Sequence, residues 1–205
     1  MVDITDSSLL PVIVQHARSG EVLMLGYMNE EALTATRTSG FVTFYSRSRQ
    51  RLWQKGETSG HTLRVVEILQ DCDGDALLIL AEPAGPTCHT GRPSCFFRDL
   101  SESEVKSPLP PVAILAYLAD RIHARRSTDP STSYTARLLH GGVDRIGKKI
   151  GEEAAELIIA AKNGNPAEIA YELADLIYHS LVLLEQQGVP TEAVWAELTR
   201  RYQAS

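Results

Sequence analysis

The sequence lacks most of the features that mark special protein classes. Its 205 residues include only three cysteines, an odd number that cannot close into an internal disulfide framework. The most apolar stretches, residues 76–81 and 157–161, fall far short of the roughly 20 residues that span a bilayer. Basic residues are not in excess: 20 Lys and Arg stand against 26 Asp and Glu, for a net charge of −6. That balance provides no basic footprint for DNA or RNA. It leaves room for an anionic small molecule, because a bound cation reverses the local charge. With 14 Gly and 10 Pro there is no low-complexity bias, and no repeat of 20–50 residues is visible. The opening residues Met1 to Asp6 show neither a basic segment nor an apolar core of the kind that makes a secretory leader. A cytoplasmic location follows as the expectation, with thiols kept reduced and available as metal ligands or nucleophiles.

What is present changes character near residue 105. Before it, short runs rich in β-branched and aromatic residues alternate with turn signals. The runs are 10–15, 22–27, 42–46, 63–68 and 76–81, and Ser19-Gly20, Ser39-Gly40 and Asp73-Gly74 punctuate them. One helix is expected from an N-cap at Asn29 to about Thr38. Residues 101–111 are polar and then proline-rich, as a linker is. Beyond them the period becomes helical. Helices are expected over 112–126, from a cap at Ser133 through Leu139, over 143–162 after a break at Gly141-Gly142, over 167–187, and from a cap at Thr191 to about Tyr202. The expected architecture is an α+β domain (mostly antiparallel β) at 1–105, a linker at 106–111 and an all-α helical bundle at 112–205. Each half is modest for an independent core, which favours oligomers.

Three patches in the first half carry chemistry. Cys72, Cys88 and Cys95 are all there, and Cys88-His89 lies in the Gly/Pro-rich run 85–95. Structural zinc sites close with four protein ligands and catalytic ones keep a position for water, so three thiols fit the open kind. Three incidental buried thiols are the alternative. Asp71, Asp73 and Asp75 suit a hard cation such as Mg²⁺. In an extended chain they share one face and Cys72 points to the other. A solvated acidic turn reads the same way. An EF-hand loop does not fit, because Ala76 stands where the sharp turn needs Gly. Finally, residues 46–61 form a basic, hydroxyl- and glycine-rich patch containing Arg47, Trp53, Lys55, Thr58, Ser59 and His61. Arg forks, hydroxyls and free backbone N–H groups suit a phosphate, although a solvated hairpin has similar composition.

Taken in order, four segments closely resemble phosphoribosyl-AMP cyclohydrolase of histidine biosynthesis. They are Leu10 to Gln15, Trp53-x-Lys55-Gly-Glu-Thr58-Ser59-Gly60, Asp71-Cys72-Asp73-x-Asp75, and Gly85 to Cys95. The resemblance spans residues 8–98, departing at Ser8, where the family often has Gly. It implies Zn²⁺ on Cys72, Cys88 and Cys95, with Cys72 from one subunit of a homodimer and the other two from its partner. It further implies Mg²⁺ on Asp71, Asp73 and Asp75, and His89 as general base. The chemistry agrees: zinc lowers the pKa of bound water toward about 7, and an imidazole titrates near neutrality.

In the second half, Glu152, Glu153 and Glu156 sit within an apolar helical stretch, and Glu172 and Asp175 fall at i,i+3 on the next helix. Like charges on facing helices are unfavourable without a cation between them, and a divalent metal is the simplest partner. A solvent-facing acidic stripe is the alternative. With Ser133-Tyr134-Thr135 upstream and Asp175 to His179 downstream, the pattern resembles phosphoribosyl-ATP pyrophosphohydrolase over about residues 112–203. That resemblance implies Mg²⁺ on Glu152, Glu153, Glu156, Glu172 and Asp175, with Glu153 and Glu156 central to catalysis. Lys148, Lys149 and Arg137 become candidates for phosphate charge. The two halves together imply a bifunctional hydrolase acting on small phosphoribosyl nucleotides. A general nucleotide pyrophosphohydrolase fused to a zinc-stabilised dimerisation module is the competing reading.

Overall fold

A computed structural model describes residues 9–101 and 110–203. Ser8 and residues 106–109 of the expected linker lie outside the described residues. The chain divides into two compact units, one ending at Ile114 and the other starting at Leu115.

In the first unit, β1 (Leu10–His16), β2 (Val22–Met28), β5 (Leu63–Gln70) and β6 (Leu77–Pro83) form a four-stranded sheet in the order β2-β1-β6-β5. β2 and β5 pair antiparallel with their neighbours, whereas β1 and β6 run parallel, with Val12 opposite Leu77 and Val14 opposite Ile79. The period of two decides which face is inside. Leu10, Val12 and Val14 of β1 and Leu77, Ile79 and Ala81 of β6 are buried, and Ile13 between them is exposed.

That inner face packs on α1 (Glu30–Ser39) through Ala32 and Leu33, and on Val42 and Phe44 at the start of a two-stranded ribbon. α1 begins where the sequence predicts: the Asn29 side chain accepts from the Ala32 amide at 2.9 Å, and Gly40 closes the helix at φ 74°. The buried Thr36 hydroxyl then accepts from the Thr43 amide at 2.9 Å, fastening the helix to the ribbon. The ribbon is β3 (Thr43–Ser46) paired with β4 (Arg51–Gln54). Sequence reading treats 51–54 only as part of the basic patch. The strand emerges because Phe44 and Trp53 stack across the pair, with ring centroids 5.9 Å apart.

The second unit is helical. After a 3₁₀ turn at Pro111–Ala113 come α2 (Ile114–Ala124), α3 (Tyr134–Asn163), α4 (Pro166–Gln187) and α5 (Thr191–Gln203). The break expected at Gly141-Gly142 is present: Gly142 leaves helical geometry at φ 74°, so α3 is two helical segments that meet at a kink there. Ser133 caps α3 by accepting from the Ala136 amide. Thr191, by contrast, is the first helical residue and not a cap, and its hydroxyl donates to Glu192. α3 and α4 pack along their lengths as a hairpin, and Ile122 of α2 joins Leu138, Ile146, Leu181 and Val182 in a small core. No helix is long and apolar enough to cross a membrane among the described residues.

Candidate active site and metal centres

The first unit opens a cleft of about 680 Å³ between the loop after β3, the segment after β4 and the loop after β6. Trp53, Lys55, Thr58, Ser59 and His61 all line it, as do Cys88, His89 and Cys95. The backbone bends sharply behind them. Gly56 sits at φ 85°, and a Cβ there would meet the carbonyl carbon of His61 at 2.4 Å, so only glycine fits. Lys55 is 8% exposed and donates to the His61 carbonyl at 3.4 Å. Burial pushes its amine below the usual lysine range, against an upward pull from the Cys95 and Cys88 sulfurs.

Those two sulfurs are neighbours. Burial raises the Cys95 thiol to about 11, and the adjacent Cys88 sulfur adds to the effect. Burial also raises Cys88, but hydrogen bonds from Thr90, one at 3.1 Å from its hydroxyl, outweigh it and hold Cys88 below the ordinary thiol value. Two adjacent sulfurs, with the Cys88 thiolate favoured over that of Cys95, suit a soft cation. Backbone contacts hold the pair in position, with the Cys88 amide donating to Arg92 O and the Cys95 amide to Leu23 O. His89 is exposed beside them, its Nδ1 3.9 Å from Cys88 Sγ.

Cys72 does not line the cleft. It lies exposed in the turn between β5 and β6. Within one chain the thiol donor set at the cleft is therefore Cys88 and Cys95. The same turn brings the carboxylates of Asp71, Asp73 and Asp75 within 4.8 Å of one another. The turn that Asp73-Gly74 signals is present, with Gly74 at φ 82°, and the carboxylates converge through that turn and not along the shared face of an extended strand. The Ala76 and Gly74 amides donate to Asp71 Oδ1, and the Ala76 bond leads in holding that carboxyl below its usual range, whereas the shared hydrogen bond with Asp71 and the crowding of the other aspartates raise Asp75.

Two arginines of the basic patch differ in placement. Arg47 lies over the Tyr27 ring, 3.9 Å from its centroid, and not in the cleft, whereas Arg49 lines it. Thr87 also lines the cleft at 2% exposure, and its buried hydroxyl oxygen has no hydrogen-bond partner. No sequence signal separates Arg49 from Arg47, since the turn at 47–50 decides which one points inward. Thr87 is legible only as a neighbour of Cys88.

In the second unit, Glu153 and Glu156 of α3 and Glu172 of α4 bring carboxylate oxygens within 4.8 Å of one another. Glu153 is 4% exposed, with Lys149 Nζ at 3.1 Å and His179 Nδ1 at 3.7 Å. One Glu172 oxygen is buried with no hydrogen-bond partner. Desolvation, then Glu156 and Glu153, then Asp175, raise the Glu172 carboxyl above its usual range. An orphaned, crowded carboxylate is what a cation relieves, so these donors fit a hard divalent metal. Glu152 is drawn away instead, to Lys149 at 2.8 Å and Lys148 at 3.6 Å. Both lysines thus pair with acids on their own helix. Arg137 reaches the Pro130 carbonyl at 3.5 Å and lies over the Tyr134 ring. His179, at 3% exposure, also belongs to this site, and its spacing from Asp175 along the helix is the only sequence signal for it. Its Nδ1–H donates to the Asp175 carbonyl at 2.9 Å, and its Nε2 meets the Tyr134 hydroxyl at 3.1 Å.

A β-rich unit with a thiol-lined cleft, followed by a helical hairpin bearing clustered carboxylates, defines a two-domain hydrolase. Comparison with known proteins specifies it. The phosphoribosyl-AMP cyclohydrolase family model matches residues 24–97, and the phosphoribosyl-ATP pyrophosphohydrolase model matches residues 115–202. The histidine biosynthesis bifunctional protein HisIE of Escherichia coli is 52% identical over 195 residues, covering 95% of this chain and 92% of that protein. Its namesakes in Thermus thermophilus and Halalkalibacterium halodurans are 50% and 48% identical, each covering 96% of this chain and 90% and 93% of their own length. The chain belongs to this family of bifunctional histidine-biosynthesis proteins.

Proposed function

We propose that the helical domain, residues 112–205, hydrolyses phosphoribosyl-ATP to phosphoribosyl-AMP and pyrophosphate, and that the domain at 1–105 then opens the adenine ring of that product. The observation that carries the reading is the presence, in one chain, of a thiol-lined cleft and an orphaned carboxylate cluster, each in the segment that matches the corresponding family.

In the second domain, Glu153, Glu156, Glu172 and Asp175 hold Mg²⁺, with Glu152 joining them once released from its lysines. The metal supplies charge neutralisation for the triphosphate and activates the attacking water. Lys149 pairs with Glu153 at 3.1 Å, Lys148 and Arg137 face phosphate charge, and water adds at the α-phosphorus as the bond to the β-phosphate oxygen breaks. In the first domain, Cys88 and Cys95 hold Zn²⁺ with Cys72 of a second copy, so that the active form is a homodimer. The exposed position of Cys72 outside its own chain's cleft supports this arrangement. Zinc held there would supply a bound water whose pKa falls toward about 7. His89 takes the proton during addition at C6 and returns it to N1 as the C6–N1 bond breaks. Lys55, Thr58, Ser59, Trp53, His61 and Arg49 bind the nucleotide, and Asp71, Asp73 and Asp75 would hold Mg²⁺. The protein works in the cytoplasm.

Supplying the full chain with phosphoribosyl-ATP, Mg²⁺ and Zn²⁺ and identifying the products tests the scheme. Pyrophosphate and a ring-opened nucleotide are expected. Accumulation of intact phosphoribosyl-AMP overturns the first domain's assignment, and absence of pyrophosphate overturns the second's.

A further inference from the structure

A second cavity, of about 390 Å³, lies within the helical unit, and none of the clustered carboxylates lines it. Arg121 of α2 and Arg125 of the turn after it form one wall, Thr132, the cap Ser133 and Tyr134 at the start of α3 form another, and Tyr178 of α4 closes it. The arginines stand at i,i+4, where two like charges repel. Neighbouring basic residues of this helix end are neutralised: His123 and Arg126 both engage Glu185, at 3.2 and 2.9 Å. Arg121 and Arg125 have no carboxylate partner among the described residues. The cavity also receives the N-terminal end of α3, at the start of the helical segment that precedes the break at Gly142. Ser133 satisfies the Ala136 amide there, which leaves the Tyr134 and Thr135 amides at the positive end of the helix dipole. Guanidinium forks, hydroxyls and helix-start amides on one concave surface are a phosphate's ligand set.

The cavity is wired to the carboxylate cluster. The Tyr134 hydroxyl meets His179 Nε2 at 3.1 Å, and His179 Nδ1 lies 3.7 Å from Glu153. Tyr134 and Tyr178 stack at 6.5 Å, providing an aromatic wall between the two. A substrate with its triphosphate at the carboxylates has a second anionic end to place. We infer that Arg121 and Arg125 bind the terminal phosphate of the N1-linked phosphoribosyl arm. The inference rests on the activity proposed above and adds how this site tells phosphoribosyl-ATP from a nucleotide that lacks that phosphate.

The test uses the full chain and two substrates, phosphoribosyl-ATP and its dephosphorylated form, N1-ribosyl-ATP, with pyrophosphate release as the readout. Each charge-assisted contact is worth about tenfold, so Arg121→Gln with Arg125→Gln lowers the preference for the phosphorylated arm about 100-fold, mainly through KM. Arg→Lys at both positions restores part of it. Mn²⁺ binding at the carboxylates, followed by titration, stays as in wild type and shows that the helices are intact. A preference left unchanged overturns the inference, and so does an equal loss on both substrates, which would put the arginines on the triphosphate. If the wild-type chain releases no pyrophosphate from either compound, the underlying activity fails instead.

Discussion

The two units of this chain assemble charged donors in opposite ways. In the β-rich unit, Lys55, Cys88 and Cys95 arrive from loops up to 40 residues apart and meet only because β1, β4 and β6 hold those loops at one end of a shared core. In the helical unit, Glu153 and Glu156 are one turn apart on α3, and a single hairpin brings up Glu172. The first arrangement depends on long-range strand pairing. The second depends on helical period and one connection. Their cores differ accordingly. The sheet buries a continuous apolar cluster, whereas the helices leave Ile158, Ile159, Leu173 and Ile177 at least a third exposed. A loop-built site tolerates little movement of its frame, and a helical site survives wherever its hairpin survives.

The sharpest way to break this comparison is to damage one site and assay both. Cys88→Ala should lower ring opening by at least about 100-fold, the range already seen when only supporting contacts of a metal site are lost, while pyrophosphate release stays within about twofold. Loss of both activities would mean that the units are not independent. Glu156→Gln is the mirror experiment, with pyrophosphate release reduced by about 100-fold and ring opening of supplied phosphoribosyl-AMP retained. Metal removal should separate the units similarly. A thiophilic chelator at saturating Mg²⁺ should abolish ring opening first, read by the ultraviolet change of the opened ring, and added Zn²⁺ should restore it.

Stability sharpens the same contrast. Leu77→Ala, in the sheet core, should cost about 2–5 kcal/mol in denaturant unfolding at fixed protein concentration. The helical unit, with its exposed apolar residues, should melt in calorimetry at a temperature that rises with concentration, the outcome expected where those residues are covered by a second copy. The smallest expected effect concerns Cys95. Its thiol is raised in the folded protein to about 11 from an ordinary 9.0. The folded state therefore keeps a proton that the unfolded state has released, and this contribution is present below pH 9 and lost as pH rises through about 11. Metal-free protein should show a falling Tm across that window, and Cys95→Ser should flatten it.

How much could be read in advance follows from the same physics. The Asn29 cap, the alternating strands and the i,i+3 acids are local, and each appears where residue type and spacing put it. The patch at 46–61 reads as a phosphate-suited segment, yet nothing local distinguishes Arg49, in the cleft, from Arg47, on Tyr27. Likewise Glu152 and Glu153 are adjacent in a single acidic motif. Only the helix surface shows that Glu152 turns to lysines while Glu153 turns inward to His179.

By itself, then, the sequence determined the two classes of architecture, the split between them, and the residue types that carry the chemistry. These depend on periodicity and composition, which act over a few residues. Tertiary structure alone decided that Cys88 and Cys95 share a cleft while Cys72 stands apart on its turn, and that α2 closes a basic cavity over the start of α3. Such juxtapositions arise from parallel pairing of β1 with β6 and from helix packing, contacts between residues far apart along the chain. A local pattern holds no record of them, because the free energy that selects them is the burial of the whole core.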